Sequence, residues 1–273
     1  MHLLVEFKKS IYSILFLILV TFSYAQVTDS IPKHETFTIA SKKVNETRVI
    51  NVWLPSEYNK STDSLPVLYM ADGGIQEDFP HIANTLAKLI QLKKIQPIIL
   101  VGIENTQRRR DLTGETVVEE DKEIAPVVGG SAAFRAFIQE ELFQEINTKY
   151  KTTAKKGIIG ESLAGLFVTE TLLLQPEMFD FYIAFDPSLW WNNKHLVKTA
   201  NEQLNHFSNN KKTFWFAGSS EKSIFKSTNK LSEILKLKNI SNLNWNYSPE
   251  KKEDHSTIFR ATKEKALIWS LNN

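Results

Sequence analysis

The stretch GIIGESLAGLFV, residues 157–168, sets one serine, Ser162, between Gly160 and Ala164, with Gly165 just beyond. A serine hydroxyl is a poor nucleophile until a neighbouring base takes its proton. A sharp strand-to-helix turn exposes such a hydroxyl and aims the next backbone N–H at the reacting oxygen. That turn needs small residues two places before and two places after the serine, because larger side chains there would collide. The usual pattern has glycine at the second place, and alanine still fits. A serine here would also serve as an ordinary helix N-cap, so the meaning of the motif depends on what surrounds it.

A nucleophile needs a base, an acid behind the base, and donors for the developing oxyanion. The chain has His2, His34, His81, His195, His206 and His255. His255, in KKEDHSTIFRA, follows the last expected strand and precedes the last helix. It completes the chain order serine, acid, histidine of the α/β-hydrolase arrangement. For the acid, Glu221 in FAGSSEKS has the expected place after the penultimate strand. Asp186 in FDPSLWW, one strand earlier, is the alternative. Asp254 adjoins the histidine, but adjacent side chains rarely point together. The N–H of Leu163 is one expected oxyanion donor, and the glycine-rich DGG after LPVLYMA should supply the second.

The elements that must hold these groups can be read from the hydrophobic pattern. ETFTIASKKV and RVINVWLPSEY alternate as half-buried strands do, whereas LPVLYMA and QPIILVGIE are continuous apolar runs suited to strands covered on both faces. KGIIG, FDFYIAFDPS, KKTFWFAGSS and LNWNYSPE read as further strands. FPHIANTLAKLIQLKKI, FRAFIQEELFQEINTKY, LAGLFVTETLLL and FRATKEKALIWSL read as helices. Strands alternating with helices imply a mostly parallel central sheet with helices on both faces, and ligands bind beyond the carboxyl ends of such strands. The segment from Thr106 to Gly130 fits no element and should hang over that edge as a long functional or solvated loop. The short stretch between FDPSLWW and KKTFWF leaves no room for a large cap domain, so the site should be open to a bulky substrate.

With 42% hydrophobic and 23% charged residues, the composition is that of an ordinary globular protein. A net charge of +2 argues against nucleic acid as a partner. The absence of cysteine rules out disulfides, thiolate metal sites and a cysteine nucleophile. The histidines lack paired ligand spacing, so neither metal nor cofactor is implied. At the N-terminus, Lys8 and Lys9 precede the apolar run IYSILFLILVTF and then SYAQ. That is the order of a secretory signal peptide over residues 1–25, cleaved after Ala25 to leave residues 26–273 as one domain with no stable membrane span. The expected location is exported, periplasmic or secreted.

Taken together, LPVLYMADGG, RRRDLTG, GGSAAFRAFIQEEL, GIIGESLAG, FDPSLWWNN, FAGSSE and DHSTI resemble the esterase family of α/β hydrolases that contains esterase D and the enterobactin-type siderophore esterases. They cover almost the whole mature chain in the family's order. The resemblance implies an α/β-hydrolase fold, serine esterase activity and a small-molecule ester substrate of siderophore type. Its serine falls on Ser162, its histidine on His255, its acid on Glu221 and its second oxyanion donor on Gly74. The family often has histidine where this chain has Glu161, and glycine where it has Ala164. Many members read SPSLWW where this chain has DPSLWW, which keeps Asp186 open as the acid. Trp190 and Trp191 would border the pocket and could stack on an aromatic acyl group or a sugar. Arg110 could hold an anionic substrate, or pair with a neighbouring carboxylate. A carbohydrate-linked acetyl or feruloyl esterase, and a non-catalytic binding protein that keeps the fold, are the alternatives.

Overall fold

Strand β6 (Phe181–Phe185, FYIAF) shows how this sequence builds its sheet. Successive side chains point to opposite faces of a strand. Phe181, Ile183 and Phe185 therefore enter one apolar layer with Phe79, Trp215, Phe259 and Leu267. Tyr182 and Ala184 enter the other, with Tyr69, Phe137, Phe167 and Leu231. Both faces are covered, which is why the strand is apolar throughout. Burying one such phenylalanine stabilises the fold by roughly 1.5–3 kcal/mol.

The computed structural model describes residues 29–60 and 62–273. The signal-peptide reading of residues 1–25 lies outside them. Residues Ile31–Asn273 form one compact unit. Its strands are β1 (Glu35–Ser41), β2 (Glu46–Trp53), β3 (Leu65–Met70), β4 (Ile99–Ile103), β5 (Thr152–Glu161), β6, β7 (Lys212–Gly218) and β8 (Leu243–Pro249). They form a single sheet in the order β1-β2-β4-β3-β5-β6-β7-β8. β2 runs antiparallel to both its neighbours, and every pair from β4 to β8 is parallel. This is the α/β-hydrolase fold, mostly parallel, with no large cap among the described residues. Among the described residues, no helix is long and apolar enough to cross a membrane.

The helices are α1 (Phe79–Gln91), α2 (Arg108–Asp111), α3 (Glu119–Ile124), α4 (Ser131–Phe137), α5 (Phe143–Lys149), α6 (Leu163–Leu174), α7 (Trp191–Gln203), α8 (Lys222–Lys238) and α9 (Ile258–Leu271). α1 and α9 pack on one face of the sheet, and α4 to α8 on the other.

Two local expectations need revising. FRAFIQEELFQEINTKY is not one regular helix, because a π turn at Ile138–Leu142 separates α4 from α5. Its buried residues Phe134, Ile138, Leu142 and Ile146 recur every fourth position. In a helix of 3.6 residues per turn that stripe drifts round the axis, and the wider turn takes up the drift. The segment from Thr106 to Gly130 is also not structureless. It carries α2 and α3 and is tied down by buried polar groups, among them Asp121, whose Oδ2 accepts from Thr116 Oγ1 at 2.7 Å and from the Asn192 N–H at 2.8 Å.

Candidate active site

Three loops at the carboxyl ends of β5, β6 and β8 bring the reactive groups together. β5 ends at Glu161, and Ser162 turns the chain into α6 with φ +59° and ψ −118°. The turn is closed by three backbone bonds. Ser162 N–H donates to Phe185 O at 3.0 Å, and Ser162 O accepts from the N–H groups of Leu166 at 2.9 Å and Ser188 at 3.0 Å. The small residues are needed here, since a Cβ on Gly160 would lie 2.7 Å from the Cβ of Ala164. Leu163 is the first residue of α6, so its N–H is among those a helix leaves without an intrahelical acceptor.

His255 lies between β8 and α9 in a turn fixed by Asp254, whose Oδ1 accepts from the N–H of Ser256 at 2.8 Å and of Thr257 at 3.1 Å. The His255 Nε2 stands 3.1 Å from Ser162 Oγ. On the other side of the ring, Nδ1 stands 2.6 Å from Asp186 Oδ2. With Asp186 ionised, Nδ1 is the protonated nitrogen and Nε2 is free to accept the serine proton. The ordinary imidazole pKa is raised, chiefly by the hydrogen bond to Asp186, with burial opposing and the Glu161 charge assisting.

The carboxylate beside the histidine is therefore Asp186 and not Glu221, which corrects the sequence-based ranking. Asp186 is fully buried and has φ +45°. Its Oδ1 accepts from Ser219 N–H at 2.5 Å and its Oδ2 from Ser219 Oγ at 2.8 Å. Glu221 is exposed at the start of α8, with a 3.4 Å contact from Ser223 Oγ. The FAGSSE loop thus supplies the serine that holds the acid. Nothing in the sequence reading marked Ser219, although its place two residues before Glu221 would have found it had the loop been read as a donor.

Arg110 also needs revising. Its Nη1 and Nη2 donate to the two Glu46 oxygens at 2.5 and 2.9 Å, and its Nε donates to Asp111 at 2.8 Å. Its guanidinium is spent within the fold. Arg108, two residues earlier, makes a two-pronged pair with Asp72 at 2.6 and 2.7 Å and faces the charges of Glu161 and Asp78. Burial pushes the Glu161 carboxyl up to about 7, against the pull of His255.

Gly74 lies in the turn after β3, as expected, but its N–H already has an acceptor, Glu77 Oε2 at 2.7 Å. Trp191 is buried, and its Nε1 donates to Gly114 O at 3.1 Å. Trp190 is half-buried, with its ring centroid 6.0 Å from that of Trp191. A cavity of about 660 Å³ between β2 and α1, lined by His34, Trp53 and Glu57 among others, includes none of these groups. The reactive groups converge instead at Ser162, beyond the carboxyl ends of β5, β6 and β8.

Known proteins share both sequence and shape with this chain. Ferri-bacillibactin esterase BesA of Bacillus subtilis is 30% identical over 189 residues, 62% of this chain and 63% of that protein. The siderophore triacetylfusarinine C esterase of Aspergillus fumigatus is 35% identical over 184 residues, 62% of this chain and 61% of that protein. The chain thus matches less than two thirds of the length of these relatives. Among solved structures, an IroE-like serine hydrolase from Shewanella oneidensis superposes with a TM-score of 0.81 at 24% identity, covering 87% of this chain and 79% of that one. The siderophore hydrolase EstB from Aspergillus nidulans gives 0.72 at 19% identity, covering 89% and 96%. At these identities the structures speak for a common fold. A family model described as "Putative esterase" matches residues 41–268, most of the chain, and the protein belongs to that esterase family.

Proposed function

We propose that this protein is an exported serine hydrolase that cleaves siderophore-type carboxylic esters through an acyl-enzyme on Ser162. The observation that carries this reading is the unbroken line Ser162 Oγ, His255 Nε2, His255 Nδ1, Asp186 Oδ2. Ser162 Oγ attacks the ester carbonyl while His255 Nε2 takes its proton. The oxyanion forms between the N–H groups of Leu163 and Gly74, and Asp186 stabilises the imidazolium. As the tetrahedral intermediate collapses, the C–O bond to the alcohol breaks and His255 returns the proton to that oxygen. Water then attacks the acyl-enzyme with the same histidine as base. Half-exposed Trp190 offers a flat apolar surface on which an aromatic acyl or catechol group can stack. The names of the relatives, which are esterases of ferri-bacillibactin and triacetylfusarinine C, support the substrate class. Export rests on Lys8, Lys9 and the apolar run after them.

The test is a panel of short-chain aryl esters, feruloyl sugars and a trilactone siderophore, run on wild type and Ser162→Ala. Turnover should favour the trilactone and fall by roughly 10⁴-fold or more in the variant. Unchanged turnover in Ser162→Ala would sink the nucleophile assignment, and preference for feruloyl sugars would move the substrate class. N-terminal sequencing of the mature protein should begin at Gln26.

A further inference from the structure

The Gly74 N–H is assigned to the oxyanion by the reading above, yet a carboxylate of the chain already holds it. Glu77 Oε2 accepts that N–H at 2.7 Å. The other oxygen, Oε1, accepts from Asn105 Nδ2 at 2.8 Å, and the same Nδ2 reaches Asp72 Oδ1 at 2.5 Å. The carboxylate is thus held at both ends in a partly buried crevice. Gly74 makes room for it, since a Cβ at that position would stand 2.9 Å from Glu77 Oε2.

We propose that Glu77 is a built-in occupant of the oxyanion site, which the tetrahedral intermediate must displace from Gly74 at every turnover. The inference rests on the Ser162 reading. One N–H serves one anion at full strength, and two negative groups at one donor repel. The backbone need not move for the exchange. The turn is closed by its own bonds, Glu77 N–H to Gly74 O and Asp78 N–H to Asp72 O, both 3.0 Å. Only the Glu77 side chain has to swing out. Its contact opposes the charge that develops in the transition state far more than it opposes a neutral ester carbonyl. The penalty therefore falls on kcat rather than on KM.

The experiment titrates phenylboronic acid, whose tetrahedral serine adduct mimics the oxyanion, into wild type, Glu77→Gln, Glu77→Ala and Ser162→Ala, with thermal melts run alongside. Kinetics on an aryl ester are measured in parallel. Both Glu77 variants should bind the boronate about tenfold more tightly, a modest part of the roughly 100- to 1000-fold that an oxyanion donor contributes. They should also raise kcat with KM little changed. Glu77→Gln keeps the size of the side chain, so it carries the test if the alanine variant folds poorly. Boronate affinities within twofold of wild type, or weaker in both variants, would overturn the inference and leave Glu77 as a brace for the turn. If the boronate binds wild type no better than Ser162→Ala, the nucleophile reading itself falls, and this inference with it.

Discussion

The loops after β6 and β7 lie side by side, each offers one carboxylate, and the two carboxylates could hardly be more different. Register places Ala217 beside Phe185, so the residues that follow, Asp186 just past β6 and Gly218 and Ser219 at the end of β7, are neighbours. Asp186 turns inward, fully buried, and meets two Ser219 donors and the imidazole. Glu221 turns outward at the mouth of α8 into solvent. A buried carboxylate must have its lone pairs filled, and those same donors fix its orientation. An exposed one is free to rotate and orients nothing. Position in the chain order leaves two adjacent loops open, and burial and donors decide between their carboxylates.

This contrast can be broken by measurement. Asp186→Asn should lower kcat by about 10³- to 10⁴-fold, because an amide no longer enforces the productive tautomer of His255. Glu221→Gln should stay within about twofold of wild type. The reverse result would return the acid to Glu221. Ser219→Ala removes the hydroxyl donor to Asp186 while keeping the N–H. A hydrogen bond to a charged group is worth about 1.5–3 kcal/mol, so activity should drop by roughly 10- to 100-fold in steady-state assays. A Ser219→Ala variant as active as wild type would mean that the backbone bond alone orients the acid. Arg110→Ala should lower stability by about 1–3 kcal/mol in urea unfolding and leave KM unchanged, whereas a raised KM would restore its substrate-binding role.

The subtlest measurement is the pH profile. Catalysis needs neutral His255, so kcat/KM should rise with pH, and the raised pKa places the midpoint above the ordinary 6.5. Glu161 titrates nearby, at about 7, so the limb belongs to the coupled pair. Removing its negative charge in Glu161→Gln removes one cause of the upward shift. The acid limb should then move to lower pH, and an unmoved limb would show that Glu161 does not act on His255.

What the sequence made legible was local or periodic. Alternating and continuous apolar runs placed the strands, and Gly160 and Ala164 placed Ser162 on its turn because close packing there tolerates little else. His255 was found by its place between the last strand and the last helix. The acid was not, because its identity depends on which way two adjacent loops point. Arg108 and Arg110 show the same limit. They are two residues apart on α2 and so face in nearly opposite directions, one toward Asp72 and the other toward Glu46. The engagement of Gly74 was equally invisible, since it depends on one rotamer of Glu77.

The left-handed backbone at the site has a consequence for heat resistance. Asp72, Ser162 and Asp186 have φ of +55°, +59° and +45°, a region that side chains avoid at about 1–2 kcal/mol per residue. The fold carries that burden to present its reactive groups; it weighs most on Ser162, because aspartate tolerates this region better than serine does and glycine is free of it. Ser162→Gly should therefore be a dead enzyme that outlasts the live one on heating, with a melting point higher by about 2–4 °C for each kcal/mol released. Differential scanning calorimetry of Ser162→Gly beside Ser162→Ala, which keeps the strain, would read out the thermal burden of the nucleophile's geometry separately from its chemistry.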